Sequence, residues 1–358
     1  MGKKIIFDVG HPAQIHQFKH LYWKLEKDGW EGLFSAKDKE VAIELLNKLD
    51  LPYKVVGKNE KGMVKKLTKL PFQIRSFDRI VRSFNPDLIL SRFSIHAAFV
   101  ARFRRIPNIG FADTEHTGML DRITNPLINC KLTAYSYEKE FKKNHFRYKG
   151  NIELFYLHPQ LFKPNPNILA NLGVKKDEKY VIIRFVSWDA HHDVGHAGLS
   201  PVFKKKLVNK LANHARVFIT SENKLPPELE PFRIQIPIEQ MHDALAFAHL
   251  YIGEGGTMAS EAACLGTPSI YINELDMGYI REEVKYGLLK NFRNSDNVLS
   301  TAIEIIKDNK AKEKGILHYK NFISQQINVT EFTKWFIENY PNSINIIREN
   351  QRYQDIFK

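Results

Sequence analysis

The chain is poor in cysteine and lacks long apolar runs, and these two absences exclude several classes of protein. Its 358 residues include two cysteines, Cys130 and Cys264, in apolar surroundings without a CxxC pair. This usage excludes a disulfide framework and a cysteine zinc site and indicates a reducing compartment. The first residues carry a lysine pair before a short apolar run, and no run reaches about eighteen apolar residues, so neither a signal peptide nor a membrane span is expected. We therefore expect a cytoplasmic protein.

Several motifs of common enzyme classes are also missing. There is no G-x-G-x-x-G fingerprint, no Walker lysine and no G-x-S-x-G elbow, which disfavours NAD enzymes, P-loop NTPases and serine hydrolases. One polar cluster lacks a metal-site spacing such as H-E-x-x-H, so no metal is expected there. Its members are Asp189, His191, His192, Asp193 and His196.

Positive charge is abundant and unevenly placed. The formal net charge is +13, and residues 58–105 hold twelve Lys or Arg against three Asp or Glu, interleaved with apolar residues such as Phe72 and Phe77. Such a segment fits an amphipathic element on an anionic membrane, a nucleic-acid-binding face, or an ordinary helix with a core stripe and a solvated charged face. Positive charge also steers anionic substrates. We expect membrane contact rather than nucleic acid.

The order of apolar runs predicts an α/β protein with two domains. The chain is about twice a typical domain length, and strands alternate with helical periodicity in both halves, as in parallel sheets covered on both faces. The predicted strands are 4–9, 31–36, 53–56, 87–91, 108–112, 131–134, 180–186, 216–220, 235–236, 250–252 and 269–272. Ligands bind such sheets at the carboxyl ends of the strands.

A proline-rich stretch separates the two halves. Pro159, Pro164 and Pro166 break a segment without strong periodicity, which we interpret as an interdomain linker. The predicted domains are 1–157, an acceptor domain, and 158–329, a nucleotide-sugar-binding domain, with a C-terminal helix and tail at 330–358. The fold class is two doubly wound Rossmann-like domains facing across a cleft.

A glycine-rich turn is the most informative passage of the second half. Gly253, Gly255 and Gly256 follow an apolar strand and precede a run of small helix formers beginning at Thr257. A helix N-terminus behind a glycine turn presents backbone N–H groups and the positive end of the helix dipole, so it binds phosphate without a basic side chain. Glu261, one turn further, lies within reach of a ribose diol. The alternative is a plain turn in a strand-helix unit.

The chain resembles an uncharacterised family of predicted GT-B glycosyltransferases. The resemblance rests on the turn Asp8-Val9-Gly10-His11-Pro12-Ala13 and on the late Gly-Gly-Thr-Met-x-x-Glu-Ala-x-x-Leu-Gly-Thr-Pro passage. That family is similar to the peptidoglycan N-acetylglucosaminyltransferase and to UDP-N-acetylglucosamine 2-epimerases. The resemblance implies a nucleotide sugar as substrate, UDP-linked, no separate cofactor, a diphosphate on the amides of Gly255, Gly256 and Thr257, and Glu261 on the ribose.

The sequence departs from both relatives where the sugar should bind. After the Gly-Thr-Pro turn the chain reads Asn-Glu-Leu-Asp-Met-Gly-Tyr at residues 273–279, in place of the transferase's Gln-Gln pair. The epimerase's Thr-Glu-Arg-Pro-Glu run is also absent. The identity of the sugar is therefore left open, and the epimerase alternative is weakened.

Polar residues after two strands of the first half are candidates for catalysis. An inverting transferase needs a base for the acceptor hydroxyl, and a histidine titrating near neutrality suits that role. His11, in the loop after the first strand, is the first candidate, and His16 is the second. Asp113 and Glu115 follow the strand 108–112 on the same edge, where Asp113 would orient His11 and Glu115, with His116, would contact the acceptor. Each also suits a structural or capping role.

One arginine of the second half completes the candidate site. Arg184 lies in the strand 180–186 and would neutralise charge on the leaving diphosphate. The sequence as a whole favours a glycosyltransferase that needs no separate cofactor and acts, at the inner face of the membrane, on a glycan or lipid-linked acceptor in cell-surface polysaccharide synthesis. Two alternatives remain: a sugar-nucleotide 2-epimerase or hydrolase, and a non-catalytic nucleotide- or nucleic-acid-binding protein.

Overall fold

The computed structural model describes residues 2–58, 63–115, 119–186, 198–221 and 223–358. The chain divides into two compact units. The first comprises residues 1–156 with 326–358, and the second comprises residues 157–325. The sequence left residues 330–358 outside both predicted domains, whereas the structure assigns them to the first unit.

Helices and strands alternate along both units. The strands are β1 (Lys4–Val9), β2 (Glu31–Asp38), β3 (Tyr53–Lys58), β4 (Leu88–Ser91), β5 (Asn108–Ala112), β6 (Cys130–Ala134), β7 (His145–Tyr148), β8 (Tyr180–Phe185), β9 (Arg216–Ser221), β10 (Leu250–Gly253), β11 (Ser269–Ile272) and β12 (Leu289–Phe292). The helices are α1 (Pro12–Lys27), α2 (Glu40–Lys48), α3 (Met63–Phe84), α4 (Ile95–Arg104), α5 (Met119–Thr124), α6 (Leu154–Leu157), α7 (Ile168–Asn171), α8 (Pro201–Leu211), α9 (Met241–Phe247), α10 (Gly256–Ala263), α11 (Gly278–Lys285), α12 (Val298–Lys307), α13 (Ala311–Ile323), α14 (Val329–Glu338) and α15 (Asn342–Glu349).

The first unit is built on a seven-stranded parallel sheet. Its strand order is β3-β2-β1-β4-β5-β6-β7, so the chain winds outward in both directions from the β1–β4 pair. Residues 5–7 of β1 are fully buried, as expected for a strand covered by helices on both faces. The carboxyl ends of β1 and β4 form the switch point, where doubly wound sheets bind ligands.

The second unit is built on a five-stranded parallel sheet. Its order is β12-β11-β10-β8-β9, and the winding reverses between β8 and β10. Apolar residues on both faces are buried against helices, with Ile182 and Tyr251 on one face and Ile183 and Ile252 on the other. The glycine turn that the sequence singled out follows β10 directly and therefore lies at this switch point.

The C-terminal segment packs on the first unit. Lys334 of α14 forms ion pairs with Asp28 at 2.5 Å and with Glu338 at 2.9 Å. The Thr330 hydroxyl donates to the carbonyl of Phe155 at 2.7 Å. The contacts with Asp28 and Phe155 join α14 to the end of α1 and to α6.

The predicted α/β class with two doubly wound, Rossmann-like units is confirmed. The short strand predicted at residues 235–236 is wrong, because neither residue pairs with a strand and the nearby bridge between Ile219 and Arg233 is isolated. The edge strands β7 and β12 were not predicted. Within the described residues, no helix combines the length and apolar character needed to cross a bilayer.

Candidate active site

The glycine turn places a helix N-terminus at the switch point of the second unit. Gly255 is the N-cap of α10 in an extended conformation and has no side chain to cap the helix. The first helical hydrogen bond of α10 is donated by Ala259 to the Gly255 carbonyl at 3.3 Å. Among the described residues, nothing accepts from the N–H groups of Gly255, Gly256 or Thr257. The amides expected to bind a diphosphate are therefore open to a ligand.

Two of the glycines are required by tyrosines that lie beneath the turn. A Cβ at Gly253 would collide with the hydroxyl of Tyr251, and a Cβ at Gly256 would lie 2.6 Å from the hydroxyl of Tyr279. The Tyr251 side chain is fully buried, and its hydroxyl has no hydrogen-bond partner among the residues described. These glycines thus bring phenolic hydroxyls close to the amides of α10.

A buried carboxylate fixes the chain around the turn. Glu254 is 1 % exposed and accepts hydrogen bonds from the amides of Leu199 at 2.6 Å and Val186 at 3.4 Å. The Lys204 ammonium lies 3.2 Å from the same carboxylate. This cation offsets the negative charge of Glu254 next to the helix N-terminus, which would otherwise repel an anionic ligand.

Arg184 is the penultimate residue of β8 and lies beside the glycine turn. It pairs in register with Gly253, and its guanidinium donates to the Thr220 hydroxyl at 2.8 Å. The structure therefore places Arg184 at the same sheet edge as the open amides.

Glu261 is paired with a histidine that the sequence did not single out. Its Oε1 atom lies 3.1 Å from Nε2 of His242 on α9, and both side chains are buried. The His242 ring meets the edge of Phe162 at a centroid distance of 6.1 Å. Glu261 lies on the second turn of α10, close to the amides of the glycine turn.

His11 lies at the switch point of the first unit and caps α1. It is the N-cap residue, and its Nδ1 atom accepts from the Ala13 amide at 3.2 Å. The side chain is exposed at the carboxyl end of β1. Since Nδ1 accepts in this arrangement, the hydrogen of the neutral ring resides on Nε2.

Asp113 pairs with an arginine rather than standing alone after its strand. Arg92, which follows β4, forms an ion pair with Asp113, and both side chains are largely buried. Burial alone would lower the pKa of Arg92, but the charge of Asp113 raises it above its usual value, so the guanidinium stays charged. Glu115, also buried, accepts from the amide of Glu138 at 3.3 Å. Asp113 and Glu115 thus each bind another segment of the first unit, through Arg92 and through the amide of Glu138.

The buried carboxylate of Asp8 lies in β1, three residues before His11. Asp8 of β1 is 4 % exposed and accepts from Ser35 at 2.7 Å and from Nε2 of His96 at 3.1 Å. Burial alone would raise the pKa of Asp8, but attraction to His96 and the hydrogen bonds lower it overall. This network ties β1, β2 and α4 together directly before the His11 loop.

The remaining candidates differ in what the structure shows of them. His16 is buried, with its ring 5.5 Å from that of Tyr156, which suits packing better than proton transfer. His116 lies outside the described residues, as do Asp189, His191, His192, Asp193 and His196. In the part of the chain that is described, no group of three His, Cys, Asp or Glu side chains is arranged to hold a metal ion.

Comparison with known proteins places the chain in a family and in a fold. A family model described as Protein of unknown function (DUF354) matches residues 3–331. The Uncharacterized protein MJ0665 of Methanocaldococcus jannaschii is 26 % identical over 327 residues, which cover 88 % of this chain and 94 % of that protein.

Solved structures with the same fold include a sugar-nucleotide epimerase and a glycosyltransferase. A putative UDP-N-acetylglucosamine 2-epimerase from Listeria monocytogenes superposes with a TM-score of 0.66 at 15 % identity, covering 88 % of this chain and 91 % of its own. The S. aureus MnaA-UDP co-structure gives 0.68 at 14 % identity, covering 96 % and 98 %. The Streptomyces sp. SF2575 glycosyltransferase SsfS6, complexed with thymidine diphosphate, gives 0.61 at 14 % identity, covering 94 % and 99 %.

Proposed function

The chain belongs to the DUF354 family, and we propose that it transfers a sugar from a UDP-linked donor to a glycan or lipid-linked acceptor. The second unit would bind the donor and the first would receive the acceptor, in the synthesis of a cell-surface polysaccharide. Structures of the same fold contain UDP or thymidine diphosphate, which supports a nucleoside diphosphate as ligand.

The observation that carries this proposal is the set of open amides at the start of α10. The N–H groups of Gly255, Gly256 and Thr257 have no acceptor among the described residues and lie at a sheet switch point. Amides and helix dipole together favour a diphosphate. Arg184, at the adjacent strand end, would stabilise the negative charge that grows on the leaving diphosphate.

His11 is the proposed base. The acceptor oxygen would attack the anomeric carbon, the bond from that carbon to the β-phosphate oxygen would break, and the nucleoside diphosphate would leave with the electron pair. The acceptor proton would pass to Nδ1 of His11 once the weak 3.2 Å bond from Ala13 opens. Asp8 and its partners, below the loop, would keep the histidine at the carboxyl end of β1.

Removing one amide of the turn tests the donor site. Thr257→Pro deletes the N–H at the second position of α10, where proline is tolerated because that N–H makes no helical bond. Thr257→Ala keeps the amide and serves as the matched control. We expect Thr257→Pro to weaken UDP binding by about 1.5 to 3 kcal/mol in calorimetry, with near-wild-type affinity in Thr257→Ala. Equal affinity in the two folded variants would refute a diphosphate on these amides.

An exposed basic and aromatic face on α3 and α4 supports a lipid-linked acceptor. Phe77, which the sequence grouped with the membrane-contacting residues, is fully buried in the core. Phe72 is 70 % exposed and Phe103 is 80 % exposed. Exposed arginines lie on the same two helices: Arg75, Arg79 and Arg82 on α3, and Arg102 on α4. Exposed aromatic rings among arginines suit an anionic lipid surface.

A sugar-nucleotide 2-epimerase or hydrolase is the second candidate, favoured by the likeness to the Listeria monocytogenes structure. Transfer needs a sugar acceptor, whereas epimerisation and hydrolysis do not. A transferase incubated with UDP-N-acetylglucosamine alone leaves the sugar unchanged, whereas an epimerase inverts carbon 2 and a hydrolase releases UDP. Nuclear magnetic resonance of the mixture distinguishes the three.

A further inference from the structure

A pocket of about 700 Å³ lies at the amino ends of β1, β2 and β3 in the first unit. Because these strands are parallel, this edge of the sheet is opposite to the carboxyl edge that holds His11. Lys4 is the first residue of β1, Glu31 is the first of β2 and Lys54 is the second of β3, and all three line the pocket. Its volume lies within the range of about 300 to 1,000 Å³ that is typical of ligand-binding pockets. The first unit thus has a second concave site, away from His11.

Aromatic rings form part of the pocket lining and are held in place by lysines. Trp30 and Phe84 both line the pocket. The Lys3 ammonium lies 5.1 Å from the centre of the Trp30 ring, and the Lys4 ammonium lies 5.1 Å from the centre of the Phe84 ring. Such cation–π contacts are attractive and fix the orientation of the rings. Rings that are already ordered reduce the entropic cost of binding a ligand.

Charged groups of both signs lie beside the rings. Glu31 pairs with Lys4 at 2.7 Å, and Glu26 accepts from the Tyr22 hydroxyl at 2.7 Å through its Oε1 atom. Among the described residues, nothing donates to the other oxygen of Glu26 or accepts from the Lys54 ammonium. The lining holds two lysines and two glutamates, so its charges balance in a chain whose net charge is +13. The pocket therefore offers a hydrogen-bond acceptor and a hydrogen-bond donor without a net charge.

This balance of charge discriminates between classes of ligand. An anion would be repelled by the carboxylates of Glu26 and Glu31. An apolar chain would remove Glu26 and the Lys54 ammonium from water without replacing their hydrogen bonds, which is unfavourable. A saccharide suits both parts of the lining. Its C–H faces pack on aromatic rings, whose faces carry partial negative charge, and each of its hydroxyls can both donate and accept.

We propose that this pocket binds a neutral saccharide. A sugar ring would pack on Trp30 and Phe84. Its hydroxyls would donate to Glu26 and accept from Lys54. This inference goes beyond the proposed function, because binding here needs neither a nucleotide nor the transfer of a sugar. The site would let the protein hold a glycan independently of any reaction on it.

Fluorine nuclear magnetic resonance of the full chain, labelled with 5-fluorotryptophan, tests the site. The chain has four tryptophans, and the variants Trp30→Phe and Trp335→Phe identify two of the signals. The probes are the neutral trisaccharides maltotriose, cellotriose and triacetylchitotriose, each titrated to about 10 mM. We expect at least one of them to shift the Trp30 signal in a saturable manner. The signal of Trp335, which packs on Tyr353 in the C-terminal segment, should not move.

Two substitutions test the polar contacts. Glu26→Met removes the acceptor and Lys54→Met removes the donor, so each should weaken binding of the shifting trisaccharide about threefold to tenfold. Lys48→Met is the matched control, because Lys48 is an exposed lysine of the same unit that does not line the pocket. This control should bind the trisaccharide as the wild-type protein does. The affinity for UDP, measured by calorimetry, should be the same in all the variants.

Several results would overturn the inference. An unmoved Trp30 signal with every trisaccharide is the first, and it needs only the wild-type protein and the assigned spectrum. Undiminished binding in both Glu26→Met and Lys54→Met, or an equal loss in Lys48→Met, is the second. A shift of Trp30 by inorganic phosphate or hexanoate but by no trisaccharide would assign the pocket to an anion instead. None of these results affects UDP binding, on which the proposed function depends.

Discussion

Replacing the two exposed phenylalanines of α3 and α4 should detach the protein from anionic vesicles. Phe72 and Phe103 are 70 % and 80 % exposed. A phenylalanine side chain buries about 150 to 250 Å², so the two together would bury roughly 300 Å² in a lipid interface. At about 25 cal/mol per Å² this is roughly 7 kcal/mol for full burial, and about 3 kcal/mol for partial insertion among headgroups. The double variant Phe72→Ser/Phe103→Ser should therefore bind roughly a hundredfold more weakly.

The assay is co-sedimentation with phosphatidylcholine vesicles containing about 30 mol % phosphatidylglycerol, against vesicles without the anionic lipid. The matched control replaces Val202 and Leu317, which are 78 % and 65 % exposed on the second unit, with serine. This control should bind like the wild-type protein. An equal loss in both double variants, or no wild-type binding to anionic vesicles, would refute the membrane surface. Salt-sensitive binding to RNA without vesicle binding would assign the face to nucleic acid.

Two further predictions concern the catalytic role of His11 and the pH dependence of stability caused by Lys312. Both His11→Asn and His11→Ala remove the imidazole, so both should abolish transfer. Asparagine keeps a good N-cap for α1 and alanine does not, so thermal denaturation should show a loss of about 1 kcal/mol for alanine alone. Activity retained in His11→Asn would exclude His11 as the base. Burial lowers the pKa of Lys312 to about 7, against about 10.4 in an unfolded chain. Between these values the unfolded chain binds a proton that the folded chain lacks, so the free energy of unfolding should rise with pH from about 7 to 10. Urea denaturation of Lys312→Met should lose this rise, and an identical pH profile in the variant would contradict it.

The fold was predictable from the sequence where strands are buried on both faces. β1, β5 and β10 each contain an uninterrupted apolar run, at residues 5–7, 109–112 and 250–253, and such runs are distinctive. The edge strand β7 reads His-Phe-Arg-Tyr and β12 reads Leu-Lys-Asn-Phe. Each is four residues long and half polar, so their pairing in the sheet, not their composition, makes them strands.

The candidate site was predictable only in its local parts. The glycine turn and His11 are recognisable because their geometry is set by neighbours in sequence. The Asp8–His96 contact joins residues 88 positions apart, and the His242–Glu261 contact joins residues 19 positions apart. Neither histidine stands in a motif, so no sequence signal could have paired it with its carboxylate. The grouping of Phe77 with Phe72 in the basic segment was wrong for a related reason. Periodicity alone did not show that Phe77 faces the core and Phe72 faces solvent.

The return of residues 326–358 to the first unit has a consequence for biosynthesis. Ribosomes deliver the chain from its amino end, so the opening 156 residues emerge long before the segment that completes their packing. The uninterrupted stretch 157–325 has all its partners at hand as soon as it is made. The half that is translated first is thus the half that is finished last, and α1 waits without the salt bridges of α14 until translation is nearly over.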